Sequence, residues 1–585
     1  MSTVSVLGTI VALPALFVVP GWLVLRRLGL TPLTALYCGF GLTAAYAGVT
    51  VGLAVLLPWS VRATCLGGLA VLLAGTVYCG LTAPRPLIPA SAELTGVAVF
   101  LVAFAAAACF VVVPSQPAGS WASGTAGPGR VDTPRWQGMP SDNILPYRTG
   151  QVAFFKETGQ LRDRFGDGWW ISDRTPLVGL DFAFTVGALG VHMRSDNPVA
   201  TTGPAVAMVV KDRYAWWLYN LVAVMLATAS VLAVFFLALV WRGNSRLATA
   251  AALVAALAPG LFLNEIYTWP KAATAYFVLI ALALALRRRA LGAGAFAALG
   301  YLCHPSGGFW IPSVAITLLS MRGAWSWGAL VRFVAGVVAV ALPWQIFTSL
   351  YMHAVSRELF WSLGSLVEDR NNLGVAWSHA WHQFIERGIA GNVWVRVEST
   401  ATSLLPTDIT GPGLANPDPH LVDAKMFWAR AHGFSIWGML GLVLFPATVL
   451  YIARLWPRDR PLLLRTVLPY VVVAILAAGF PDTWSSQSAY PLIGLLAIFA
   501  GEMLLAVTTR IRWFLWGAIA FELLTVAYVC EYSPYNASAP IIVLFAVLGI
   551  GAHLVLLAAL GRTIGLWTWP LLRGRPAPRP AMSPF

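Results

Sequence analysis

Apolar runs of about 18 residues recur from one end of this 585-residue chain almost to the other, and they decide what it can become. Such a run is long enough to cross the hydrocarbon core of a bilayer, where no water can satisfy the backbone and only helices or closed barrels are tolerated. The composition agrees: 58% of residues are hydrophobic and 11% charged, where a soluble domain carries about a quarter charged residues. The expected spans lie near residues 4–25, 33–57, 64–81, 93–114, 214–241, 246–263, 267–286, 291–303, 306–321, 329–350, 433–453, 465–480, 490–507, 513–530 and 539–560. The fold class that follows is an all-α polytopic membrane protein of about 15 transmembrane helices, with two large extracytoplasmic loops containing interfacial helices.

The formal charge of +14 could suggest a nucleic-acid partner, but the positions of the charges argue otherwise. If the first span runs inward, Arg26/Arg27, Arg85, Arg242/Arg246, Arg287 to Arg289, Arg322/Arg332, the Arg454 to Arg465 cluster, Arg510/Arg512 and the tail Arg562 to Arg579 share one side. About twenty basic residues then meet about two acidic ones, Glu93 and Asp459, which is the positive-inside pattern. The excess is a topology signal, and no nucleic-acid partner is expected. The N-terminus is placed outside and the C-terminus in the cytoplasm. Residues 4–25 lack a basic leader and a cleavage pattern, so we read them as a retained span.

Arginine far exceeds lysine and alanine abounds, the composition of a GC-rich genome such as an actinobacterium's, so a bacterial plasma membrane is the expected location. Cys38, Cys65, Cys79, Cys109, Cys303 and Cys530 lie in or beside apolar spans without metal spacing, which favours neither disulfides nor zinc. The chain has no Walker loop, HExxH or GxSxG motif, and ATP coupling within it is not expected.

Residues 1–92 form an N-terminal set of spans, 93–350 a membrane module with the first outer loop at 115–212, 351–432 the second outer loop, 433–561 the C-terminal spans and 562–585 a basic tail. The first loop opens with a Gly/Ser/Pro-rich linker. Residues 143–161 then alternate polar groups (Arg148, Lys156, Glu157) with apolar ones (Val152, Phe154, Phe155), as an amphipathic helix on the membrane surface would, with Gly159 as its stop. The second loop carries Trp361, Trp377, Trp381 and Trp394, the residue type that sits where bilayer meets water.

Asp142, in Ser141-Asp142-Asn143, precedes that surface helix. A carboxylate there can act as a general base toward a sugar hydroxyl or help bind a metal and phosphate, and it can equally serve as a helix N-cap. In Ser172-Asp173-Arg174-Thr175-Pro176, Arg174 offers a planar fork for phosphate and Asp173 could orient it or bind sugar hydroxyls; an ordinary Asp-Arg surface turn is the alternative. Glu265 and Lys271 flank a short outer turn, where Lys271 could neutralise a lipid phosphate or simply reach for water. His304-Pro305-Ser306-Gly307-Gly308 joins two short spans, and a lone His is more often structural than catalytic. Arg148 completes the candidate substrate-binding set of Arg148, Asp173, Arg174, Glu265, Lys271 and His304.

In this order, a span leading into an outer loop with an acidic residue and surface helices, then short outer turns with further charges, the layout resembles the GT-C superfamily of membrane glycosyltransferases. The resemblance covers roughly residues 93–350, and SDRTPL is similar to a DRPPL-type stretch of bacterial members. It implies a polyprenyl-phosphate-linked sugar as donor, a glycan or glycolipid as acceptor, Asp142 as catalytic base, Glu265 as a second acidic group, and Lys271 or Arg174 on the phosphate. Three extra spans precede the usual first one, and Asp142 lacks the usual acidic neighbour, which leaves open whether Asp142 and Glu265 hold a divalent cation (Mg or Mn). The expected activity is extracytoplasmic, inverting sugar transfer in cell-envelope polysaccharide or glycolipid assembly. A flippase for a lipid-linked glycan and a non-catalytic glycan-binding membrane protein are the competing readings.

Overall fold

A computed structural model of the chain describes residues 3–112, 145–157, 159, 164–165, 169–170, 174–193, 213–266, 270–321, 326–351, 373–404, 441–477, 490–529 and 540–567. Apart from one two-residue hairpin, β1 (Arg164–Phe165) against β2 (Trp169–Trp170), its regular structure is helical. Helices α1 (Thr3–Arg27), α2 (Pro32–Leu56), α3 (Val61–Thr82) and α4 (Ser91–Val112) come first. Their turns are set by local chemistry: Pro32 opens α2 behind Thr31, whose hydroxyl accepts the Thr34 amide at 3.3 Å, and Ser60 accepts the Ala63 amide at 3.4 Å before α3.

After α5 (Leu145–Phe155) and α6 (Leu177–Ala188), helices α7 (Arg213–Thr228) and α8 (Ser230–Arg242) run nearly end to end. Gly243, at φ 63°, ends α8, and Asn244 caps α9 (Ser245–Ala256) by accepting the Leu247 amide at 3.1 Å. Then follow α10 (Pro259–Ile266), α11 (Pro270–Leu286), α12 (Ala290–Cys303), α13 (Gly307–Ser320) and α14 (Trp327–Tyr351). Helices α15 (Leu373–Glu386) and α16 (Gly388–Leu404) occupy the second expected loop, and α17 (Gly441–Ala477), α18 (Tyr490–Ala506), α19 (Thr509–Val529) and α20 (Pro540–Thr563) close the chain.

Among the described residues six helices are long and apolar enough to cross a membrane: α1 to α4, the joined α7–α8 and α14. Several shorter apolar helices accompany them. The apolar window of α7–α8 is wholly buried, whereas α14 buries only 11% of its own, so the first lies at the centre and the second at the periphery. Tyr37 stacks on Phe235 and Phe236, and Tyr276 donates to the Tyr37 carbonyl at 2.8 Å while accepting the Gly41 amide at 3.0 Å, which fastens α2, α8 and α11 together.

The arginine-bearing helix ends gather at one end of the bundle. Arg26 donates to the carbonyls of Pro84 and Pro86, Arg246 to that of Thr563 and Arg512 to that of Ile564, while Arg242 pairs with Asp459 and Glu502. At the opposite end of α2 and α3, Lys156 donates to the Leu57 carbonyl at 2.6 Å and Arg62 to the Gly190 carbonyl at 2.7 Å, binding the first loop to the α2–α3 turn.

Four details differ from the sequence expectation. Residues 441–477 form one helix that passes through Pro446, Pro457, Pro461 and Pro469, where two spans separated by the arginine cluster were expected. The expected 246–263 span is divided into α9 and α10. Helix α5 exists, but Leu145 to Ala153 are all buried, so it lies within the protein and not on a membrane surface. It stops at Phe155, with Lys156 at φ 60° supplying the left-handed residue that Gly159 was expected to supply.

Candidate functional site

The site is assembled from the first loop outward. Helices α5 and α6 approach backbone to backbone because Gly150 and Gly179 face each other: a Cβ on Gly150 would lie 2.5 Å from the Gly179 carbonyl oxygen. That approach carries the polar side of α5 inward. Arg148 is 7% exposed and donates to the Oε1 of Gln151, itself buried. One turn on, Val152 packs against Tyr301 and Leu302 near the end of α12, just before His304.

Arg174 stands just before α6 and is fully buried, which removes it from the class of surface turns. Lys271 is the second residue of α11, and it too is buried, at 2% exposure. A cation at a helix N-terminus faces the positive end of the macrodipole, so the helix itself does not account for its position. Glu265 at the C-terminal end of α10 shows the same inversion. A long cationic side chain normally extends to water, and neither Arg174 nor Lys271 does so.

His304 occupies the turn between α12 and α13. Its Nδ1 lies 2.8 Å from the Ser306 hydroxyl and accepts the Ser306 amide at 3.3 Å, which places the proton of the neutral ring on Nε2. Burial, and after it the charges of Arg174 and Lys271, hold the imidazole well below its usual range, so the ring is neutral at pH 7. The same electrostatics show that Arg174, Lys271 and His304, 130 residues apart in sequence at the extremes, share one interior region. Glu265 belongs to a neighbouring group with Thr228 and Tyr490. Burial pushes its carboxyl up to about 8, opposed by the Thr228 hydroxyl, so at pH 7 it is mostly protonated.

Five candidates, Arg148, Arg174, Glu265, Lys271 and His304, are thus buried. Asp142 and Asp173 lie outside the described residues, as do the turn 267–269 and the segment 478–489. Among the described residues no cluster of three or more His, Cys, Asp or Glu side chains could hold a metal ion; the expected metal pair included Asp142.

The structure adds groups that the sequence reading passed over. Asp181 on α6 is fully buried, and neither of its carboxyl oxygens has a hydrogen-bond partner among the described residues. It lies within electrostatic reach of Cys303, the neighbour of His304. A carboxylate inside an otherwise apolar run from residue 177 to 189 was a legible signal. Gln151, Thr228 and Tyr490 gave no such signal, because their roles come from which helices meet. Two buried cations beside a neutral imidazole suit an anionic group such as a phosphate, which accepts charge-assisted hydrogen bonds from such groups.

No family model matches the chain, and no curated protein matches it. One solved structure with which it shares a similarity is the archaeal oligosaccharyltransferase AglB from Archaeoglobus fulgidus, in complex with an inhibitory peptide and a dolichol-phosphate. The match has a TM-score of 0.39 and 14% identity, covering 80% of this chain and 56% of AglB. This chain therefore spans a little over half the length of that protein, and a superposition so loose identifies neither fold nor activity.

Proposed function

We propose that this protein is a membrane glycosyltransferase that moves a sugar from a polyprenyl-phosphate donor to a cell-envelope polysaccharide or glycolipid on the extracytoplasmic side. The observation that carries the reading is the interior grouping of Arg174, Lys271 and neutral His304 beside the first loop, at the opposite end of α2 and α3 from the Arg26-bearing turn. Buried cations in a membrane protein point to function by default, and arginine and lysine suit an anionic substrate group such as a phosphate. The positive-inside pattern makes the arginine-rich end cytoplasmic, so the grouping faces out.

In this reading the cations hold the donor phosphate and stabilise it as it departs from the anomeric carbon. Asp142, three residues before α5 in sequence, takes the proton of the attacking acceptor hydroxyl. Glu265, mostly protonated at neutral pH, serves as a hydrogen-bond donor to substrate oxygens and not as a base. A divalent cation shared by Asp142 and Glu265 is the alternative to that donor role, since its binding would displace the Glu265 proton.

The test uses the purified full chain in nanodiscs with a labelled polyprenyl-phosphate sugar and an envelope lipid acceptor. Sugar transfer is expected, with Asp142→Asn losing at least about 100-fold, the contribution of a positioned general base, while folding as the wild type. Unchanged turnover in Asp142→Asn would remove its catalytic role. Movement of the lipid-linked sugar across the membrane without a new glycosidic bond would replace transfer by transport.

A further inference from the structure

The arginine-rich end of the bundle holds a feature that sugar transfer at the other end does not use. Helices α4, α9 and α20 leave between them an open cleft of about 570 Å³. Val99, Val102, Leu253 and the exposed Val555 are among its apolar lining. Arg246 and Arg562 line it near the helix ends, together with Thr563. From Ser245 at the start of α9 to Leu253 the cleft runs about 12 Å, at 1.5 Å per helical residue.

The two arginines are exposed and available. Arg246 spends only its Nε, which donates to the Thr563 carbonyl at 2.7 Å. The Arg562 guanidinium makes neither a hydrogen bond nor an ion pair among the described residues, and no carboxylate there pairs with Arg246. Arg512 adds a third positive charge: its Nη1 and the Arg246 Nη2 both approach Gly565. The acid nearest in sequence to the cleft wall, Glu93, is turned to the Ala90 amide. Above the arginines, α20 presents exposed Val547, Leu554 and Val555, so the cleft continues into surface of the kind that meets lipid tails.

A soluble anion would use the arginines and leave the apolar walls idle; a plain hydrocarbon would do the reverse. We propose that this cleft binds an anionic glycerophospholipid, with its phosphate on Arg246 and Arg562 and one acyl chain between α4, α9 and α20. Basic pockets between spanning helices at the positive end of a membrane protein suit such headgroups, and arginine forks match phosphate oxygens. The site is independent of the glycosyltransferase reading, since it would anchor the bundle whatever reaction occurs at the other end.

Native mass spectrometry of the full chain, released from detergent after incubation with equal amounts of phosphatidylglycerol and phosphatidylcholine, tests this. Selective phosphatidylglycerol adducts are expected, reduced about fivefold by Arg562→Gln, the factor for one cation at an anionic surface. Ala559→Trp, which fills the cleft and leaves both arginines, is expected to lose the adduct as well. Glycerol phosphate is expected not to displace the lipid; displacement would show a headgroup site without an acyl slot and overturn the proposal. It is overturned equally by matching retention of both lipids, by wild-type retention in both variants, or by adducts that form only after residues 568–585 are removed, which would make the tail the occupant. Circular dichroism of each variant separates lost binding from lost folding.

Discussion

At the scale of single residues, the candidate site is a set of ionisable groups that folding has moved away from water. Two of them make opposite predictions for stability against pH. Glu265, raised from its usual 4.5 to about 8, keeps its proton in the folded state across a window in which the unfolded chain has lost it. The folded state binds more protons there, so this group's contribution to stability falls as pH rises through the window. His304, held below its usual 6.5, stays neutral when folded while the unfolded chain takes up a proton, so stability falls as pH drops below about 6.5. Thermal melting between pH 5 and 8.5 should therefore show Glu265→Gln flattening the alkaline limb and His304→Gln flattening the acid limb; parallel curves for the variants and wild type would refute both assignments. Asp181 calls for a different experiment. A buried carboxyl without a hydrogen bond costs about 1–3 kcal/mol, so Asp181→Leu should raise Tm. A lower Tm would mean that the carboxyl is held by a residue outside the described set.

At the scale of helices, small residues govern how closely the bundle packs. Lipid tails are as apolar as leucine, so helices in a membrane associate through close contact more than through hydrophobic burial. Helices α12 and α14 meet in this way at two points. A Cβ on Gly294 would lie 2.0 Å from the Phe333 carbonyl oxygen, and one on Gly336 would lie 2.3 Å from that of Leu291. Gly294→Ala should cost about 3 kcal/mol because the contact is with backbone, which cannot swing aside. Gly328→Ala on the same α14 has nothing within 4 Å and should be neutral or stabilising, by up to about 1 kcal/mol. Denaturation midpoints of the two variants check the contrast. Because α12 leads directly to His304, loosening this pair should also move the site.

At the scale of the whole molecule, Arg242 ties distant parts of the chain together. It donates to Asp459 on α17 at 2.8 Å and to Glu502 on α18 at 3.0 Å, with all three side chains only 12–14% exposed. Removing the guanidinium takes Arg242 from Glu502 and leaves Asp459 with the exposed Arg458 at 3.2 Å, so Arg242→Gln should lower stability by about 3 kcal/mol. Screening by salt should change this loss little, since the pairs are mostly shielded from water. A loss that disappears in high salt would show the tie to be a surface contact. Its position at the arginine-rich end also means that such a variant should leave the Arg174, Lys271 and His304 grouping largely intact.

Much of this architecture was legible in the sequence because its causes are local. An apolar run must become a helix if its backbone is to be satisfied without water, and arginines at run ends mark one end of the bundle; both follow from residues read in order. Pro32, Gly243 and Asn244 set their turns by equally local chemistry. Helix α17 shows the limit: a charged, proline-rich stretch reads as a break, yet helical bonding passes through it, because prolines remove single amides and leave the remaining ladder in place. The inward course of α5 was hidden for a different reason. Its alternation of polar and apolar residues suits a membrane surface equally well, and only the contact of Gly150 with Gly179 turns Arg148 and Gln151 to the interior. Which charged residues exist near the first loop was set by the sequence alone. That Arg174, Lys271 and His304 share one buried region, with Asp181 beside Cys303, was decided by tertiary packing, since burial and charge coupling belong to the space between helices and not to any one of them.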